Sequence, residues 1–150
     1  MSKQGNPICI LMADDDEDDR HSTRDAFERN RMANDFRTVN DGEELMAFLR
    51  RQGKYANAPR PGLILLDLNM PKKDGREALA EIKRDPALRS IPTVVLTTSS
   101  QEEDILRSYD LGANSYITKP VTFEALVKAL GTLGKYWVQV VELPDKPEQA

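Results

Sequence analysis

The sequence predicts an α/β fold, an open parallel sheet of five strands flanked by five helices. Three observations carry this expectation. Strand-like and helix-like segments alternate from Ile8 to the last helical stretch after Thr122, the order that right-handed crossovers require of a parallel sheet. The run Leu63-Ile64-Leu65-Leu66 is wholly apolar, as befits a strand covered on both faces. Polar residues of complementary chemistry, Asp14, Asp15, Asp67, Thr97 and Lys119, close four of the strand segments, and open α/β sheets gather functional groups at such ends.

Ile8 to Ala13 reads as the first strand and Asp18 to Met32 as the first helix. That helix offers only Ala26, Phe27 and Met32 as apolar positions, helped by Thr23, so it needs the sheet to hold it. Phe36 to Val39 is a short strand ended by Asn40-Asp41-Gly42. Glu43 to Gln52 is helical on Leu45, Met46, Phe48 and Leu49. Gly53 to Gly62 contains Pro59 and Pro61 and is a loop. Leu63 to Asp67 is the central strand. Asp74-Gly75 opens a helix that runs to about Arg84, where Asp85-Pro86 closes it. Thr93 to Thr97 is a strand, Gln101 to Leu111 a helix ended by Gly112, and Ser115 to Thr118 the fifth strand.

The final helix starts near Thr122. Phe123, Leu126, Val127, Leu130 and Leu133 form a stripe that suffices to cover the sheet. Tyr136, Trp137, Val138, Val140, Val141 and Leu143 continue beyond it, and contiguous apolar surface marks an interaction site. Tyr136, Trp137 and Val141 are therefore candidates for a homodimer contact. The alternative is that Trp137 folds back onto its own core, a bend that Gly131 and Gly134 would ease. Residues 1–143 are expected to form one domain, and 144–150, polar and proline-bearing, a disordered tail.

Composition narrows the function. The chain has 150 residues, 39% hydrophobic and 31% charged, enough for a substantial core. Lys plus Arg number 21 and Asp plus Glu 25, a net charge of -4 that does not favour nucleic acid. No apolar run approaches the ~18 residues of a membrane span, and Met1 to Pro7 lacks the apolar stretch of a signal peptide, so a cytoplasmic location is expected. Cys9 is the only cysteine, which excludes an internal disulfide and a thiolate metal cluster. In an apolar strand it reads as an inert buried thiol.

A carboxylate at the end of a buried strand is costly unless something neutralises it. Asp67 has two remedies. The acidic run Asp14 to Asp19 follows another apolar strand, and carboxylates brought together invite a hard divalent cation. Lys119, before Pro120, ends a third strand with an ammonium. Leu96-Thr97-Thr98 adds a hydroxyl. A carboxylate nucleophile, a cation site, an ammonium and a hydroxyl are the parts of a phosphoryl-transfer site. Asp16, Glu17 and Asp18 read as a solvated loop and helix start, where acids suit the positive end of the helix dipole. His21, the only histidine, reads as a surface residue. Lys72-Lys73 reads as a solvated turn at the border of the site, able to help dock an acidic partner. On pattern alone Tyr116 is a core or half-buried aromatic.

The acidic pair Asp14-Asp15, the run Leu65-Leu66-Asp67-Leu68-Asn69-Met70-Pro71, the segment Leu96-Thr97-Thr98, and Tyr116-Ile117-Thr118-Lys119-Pro120 together resemble the receiver domain of two-component response regulators, from about Ile8 to Leu133. The long loop Gly53 to Gly62, Asp19, and the segment from Tyr136-Trp137 to Leu143-Pro144 resemble, more narrowly, the small single-domain regulators paired with bacterial phytochrome kinases. The resemblance implies the flavodoxin-like receiver fold with strand order 2-1-3-4-5. It implies that Asp67 is the phosphoacceptor, and that Asp15, Asp67 and the Asn69 carbonyl hold Mg²⁺, with Asp14 acting mainly through water. It further implies that Lys119, the Thr97 hydroxyl and the Thr98 N–H bind the phosphoryl group, that Tyr116 is a switch residue turning inward as Thr97 moves, and that Lys119–Pro120 is a cis peptide.

The expected function is a stand-alone response regulator. It takes a phosphoryl group from a sensor histidine kinase, phytochrome-type by the narrower resemblance, and signals through protein contacts or relays the group to a further histidine. It is a phosphoacceptor with no turnover on a small substrate. Expected partners are that kinase, a downstream target and a second copy of the chain, paired in such regulators through the fourth helix, fifth strand and fifth helix. Two alternatives are a pseudo-receiver that is never phosphorylated and an aspartate-nucleophile phosphatase. The latter needs a second acid two residues after the nucleophile, where this chain has Asn69. A flavodoxin-like cofactor carrier is disfavoured because no glycine- or hydroxyl-rich phosphate loop follows the first strand.

Overall fold

The structure, a computed structural model, describes residues 9–29, 35–98, 101–103, 105, 112–120 and 122–132. The strands are β1 (Cys9–Ala13), β2 (Asp35–Val39), β3 (Leu63–Asp67), β4 (Thr93–Thr97) and β5 (Ser115–Thr118). They form one parallel sheet in the order β2-β1-β3-β4-β5. The helices are α1 (Glu17–Arg29), α2 (Gly42–Leu49), α3 (Gly75–Arg84), α4, described at 101–103 and 105, and α5 at 123–132. This is the open, doubly wound arrangement that the alternating pattern predicts. Among the described residues, no helix is long and apolar enough to cross a membrane.

Side chains alternate across a strand, and that period divides the core in two. Ile10, Met12, Leu63, Leu65, Val94 and Leu96 meet Ala26 and Phe27 of α1 and Leu130 of α5 on one face. Leu11, Ala13, Ile64, Leu66, Val95 and Tyr116 meet α2 and α3 on the other. Every residue of β1, β3 and β4 is buried, which explains their near-continuous apolar character. The sparse face of α1 is as the sequence suggests, since among its described residues only Thr23, Ala26 and Phe27 are buried.

Local chemistry sets the helix starts. Asp16 accepts from the N–H of Asp18 at 2.8 Å and of Asp19 at 3.3 Å, opening α1. Asp41 caps α2 through the Glu44 N–H at 2.8 Å. Asp74 and Glu77 form a capping box at α3. Thr122 Oγ1 accepts from the Ala125 N–H at 3.1 Å, opening α5. Within the loop 53–62, Gly53–Tyr55 makes a 3-10 turn. Ile8, Met32, the end of the helix expected over Gln101 to Leu111, and everything from Leu133 onward lie outside the described residues. These include Tyr136, Trp137, Val141 and the tail expected over 144–150.

Candidate functional site

The sheet register brings the site together. Ala13 pairs with Leu66, so the next residues, Asp14 and Asp67, stand side by side. Asp67 pairs with Leu96 and Leu96 with Ile117, so Lys119 follows two residues beyond that row. Asp14 keeps the parity of Ile10 and Met12, Asp67 that of Leu63 and Leu65, and Lys119 that of Ile117. All three therefore fall on the α1–α5 face. Asp14 and Asp67 are buried, at 0% and 4% exposure, and two charges at that depth need partners.

Lys119 supplies the partner. Its Nζ lies 3.0 Å from Asp14 Oδ2, 3.2 Å from Asp67 Oδ2 and 2.8 Å from Asp19 Oδ2. The second oxygen of each strand-end carboxylate takes a backbone donor. Asp14 Oδ1 accepts from the Asp16 N–H, and Asp67 Oδ1 from the Asn69 N–H, both at 2.9 Å. Burial pushes the Asp14 carboxyl up to about 6, against the opposing pull of the Asp16 N–H and Lys119. Burial alone would lower Lys119, but its hydrogen bond to Asp19 and the charges of Asp14 and Asp67 outweigh that and hold it above its ordinary value. One ammonium shared by three carboxylates keeps its own proton firmly, yet only partly repays Asp14 for complete burial.

The carboxylates also fit a cation. Asp14, Asp15 and Asp67 each offer an oxygen, all within 4.8 Å of one another, and Asp15 is exposed. This all-oxygen donor set suits a hard divalent ion such as Mg²⁺.

Thr97, expected beside Lys119 around a phosphoryl group, starts from the opposite face of the sheet. Thr97 has the parity of Val95, and Tyr116 pairs with Val95. Thr97 Oγ1 lies 3.3 Å from Thr118 Oγ1 and 3.4 Å from the Ile117 carbonyl, and Thr118 donates to Glu103 at 2.8 Å. Thr97 thus leans toward β5. Thr98 is not turned toward the carboxylates: its N–H donates to Glu102 Oε1 at 2.8 Å, and its hydroxyl to the same oxygen at 3.1 Å. Glu102, in the described part of α4, reaches back to Thr98. Tyr116 is a core residue, 7% exposed.

Two other expectations are corrected. No cis peptide occurs among the described residues, so Lys119–Pro120 is trans. Trans is favoured by about 0.5–1 kcal/mol before proline, and from that backbone Lys119 already reaches three carboxylates. The solvated turn expected at Lys72-Lys73 holds for Lys72, whose side chain is 63% exposed, and not for Lys73. Lys73 is half-buried and paired with Glu81, and Lys72, at φ 66, lies 3.8 Å from Asp41. His21 is a surface residue as expected, with Glu17 at 3.5 Å.

Sequence reasoning missed Asp19 as a Lys119 partner, Glu102 and Glu103 as caps on β4 and β5, and Arg20, whose Nη1 donates to the Asp14 carbonyl at 2.8 Å. For Asp19 a signal existed. Helical side chains tilt toward the N-terminus, so an acid in the first turn of α1 leans back over the strand end.

Comparison with known proteins shows the family. The family model described as the response regulator receiver domain matches residues 10–131. The chain is 45% identical over 145 residues to response regulator Rcp1 of Synechocystis, covering 96% of this chain and 99% of the relative. Its structure is similar to the crystal structure of the phosphorylated cyanobacterial phytochrome response regulator RcpA, with TM-score 0.81, 47% identity, and coverage of 90% of this chain and 96% of the other. It is also similar to the Mn²⁺-bound form of Rcp1, with TM-score 0.77, 45% identity and coverage of 87% and 94%.

Proposed function

The chain belongs to the response regulator receiver domain family, and on that premise we propose that it is a stand-alone switch that accepts a phosphoryl group on Asp67 from a phosphohistidine of a sensor histidine kinase. The observation that carries this is the Lys119 ammonium held among Asp14, Asp67 and Asp19 at the end of a buried strand. An Asp67 carboxylate oxygen attacks the phosphorus in line. The new O–P bond forms as the P–N bond breaks, and the histidine leaves with the electron pair. Lys119 keeps its proton and transfers one N–H from Asp67 Oδ2 to a phosphoryl oxygen. The Thr97 hydroxyl gives up Thr118, and the Thr98 N–H gives up Glu102, to reach the same group.

Asp15, Asp67 and the Asn69 carbonyl would hold Mg²⁺ directly, with Asp14 acting through water. When bound, the cation supplies positive charge for the phosphoryl oxygens. Asn69, two residues after the nucleophile, does not exchange protons near neutral pH, which argues against a phosphatase. The full set of chemical residues argues against a pseudo-receiver. The likeness to phytochrome response regulators supports a phytochrome-type kinase as the donor, in the cytoplasm. Signal output then runs through protein contacts, with a homodimer through α4, β5 and α5. Sedimentation at tens of micromolar should show that dimer; a monomer with and without phosphorylation would contradict it.

A small phosphoramidate with Mg²⁺ should add one phosphoryl group to the wild type and none to Asp67→Asn, read by intact mass. Equal labelling of both proteins would overturn the assignment.

A further inference from the structure

We propose that Asp19 is a positioning residue for Lys119, the third leg of a tripod that presents the ammonium to the phosphoryl group. An ammonium has three N–H donors on a flexible four-carbon stem. Here each donor meets one carboxylate, and the bond to Asp19 is the shortest of the three, 2.8 Å against 3.0 Å and 3.2 Å. Asp14 and Asp67 belong to the strand ends. Asp19 comes from a helix, 100 residues earlier than Lys119 in the chain.

The bland alternative is an ordinary exposed ion pair, which contributes little. Two features argue against it. The Lys119 side chain is only 24% exposed, so losing one leg changes where the ammonium rests. And Asp19 stands on a helix start that is itself held. Its carbonyl accepts from Thr23 Oγ1 at 2.7 Å, and the next residue, Arg20, clamps the end of β1 through the Asp14 carbonyl at 2.8 Å.

The tripod rests on the phosphoacceptor assignment above. The bond to Asp67 is the longest of the three, and it is the one exchanged when the phosphoryl group arrives. Asp14 and Asp19 then remain as fixed pivots, and the ammonium meets the incoming oxygens already in place. Without Asp19 the ammonium settles between Asp14 and Asp67 and must leave both to engage the phosphoryl group. The direction of the effect separates this from simple charge. Removing a negative residue beside an anionic donor should speed the reaction; removing a positioning leg should slow it.

The test uses the full chain and a small phosphoramidate with saturating Mg²⁺, so no kinase contact to α1 intervenes. Asp19→Asn should label about three- to tenfold more slowly than wild type, with little change in Tm. In a Lys119→Met background the same substitution should have no further effect. Independently of any reaction, the metal-free wild type should show a Lys119 ammonium signal protected from solvent exchange by ¹⁵N NMR, and Asp19→Asn should lose it. That signal decides the matter where the Lys119→Met rate is too small to measure. Labelling of Asp19→Asn at or above the wild-type rate, an undiminished effect in Lys119→Met, or an unchanged ammonium signal would each overturn the tripod alone. A wild type that takes no phosphoryl group would overturn the assignment of Asp67 with it.

Discussion

Burial of the Asp14 carboxylate is costly. The residue is fully buried, and burial is the largest influence on its carboxyl, which rises from 3.8 to about 6. Between those values the folded chain binds more protons than the unfolded one, so stability falls as pH rises through the window. The contribution is fully present below about pH 4 and gone above about pH 6, roughly 3 kcal/mol for a shift of about two units. Lys119, held above its ordinary value, stays charged throughout and adds no slope there. Chelated, metal-free wild type should therefore lose stability between pH 4 and pH 7 relative to Asp14→Asn, which has no carboxyl to titrate. Parallel pH profiles of Tm for the two proteins would show that burial of Asp14 does not set the slope.

At the scale of elements, the sequence is most readable where one local signal suffices. Leu63–Asp67, Thr93–Thr97 and Ser115–Thr118 have the bounds expected of them, because apolar runs meet sharp polar ends. Gly75–Arg84 is equally clear, since Asp74 caps one end and Asp85-Pro86 the other. Pairing across the site is less readable. Asp14, Asp67 and Lys119 converge because three strand registers agree, and those can be inferred once the sheet order is known. The reach of Asp19 to Lys119 and of Glu102 to Thr98 depends on how α1 and α4 sit against the sheet, which no local pattern records. Another close approach is hidden in Gly75, at the start of α3. A Cβ there would lie 2.5 Å from Leu68 Cα and 2.6 Å from the Asp67 carbonyl. Both are backbone atoms at the end of β3, so the helix start itself must move. Gly75→Ala should cost about 1–3 kcal/mol as an overpacked site, despite the better helix propensity of alanine. Denaturant unfolding would measure it, and a neutral or stabilising result would mean the helix start has room to shift.

For the whole molecule, the acidic end of the sheet is expected to make stability depend on cation concentration. Net charge is only -4, but Asp14, Asp15 and Asp67 bring oxygens within 4.8 Å of one another at one end of the core. The unfolded chain cannot hold three carboxylates from two strand ends in that arrangement, so a cation that binds the folded state alone stabilises it. At ten times its dissociation constant the gain is about 1.4 kcal/mol, or roughly 3–6 °C in Tm for a domain of this size. Asp15 is the cleanest probe because it is exposed. Its repulsion with its neighbours is screened by water, so Asp15→Asn should leave the metal-free Tm near that of wild type. It should nonetheless remove most of the rise with Mg²⁺, since it takes away a carboxylate that Lys119 does not occupy. Melts at matched ionic strength separate site binding from general screening. An equal Mg²⁺-induced rise in wild type and Asp15→Asn would place the cation elsewhere. No rise in wild type at millimolar Mg²⁺ would mean that Lys119 alone neutralises the buried acids.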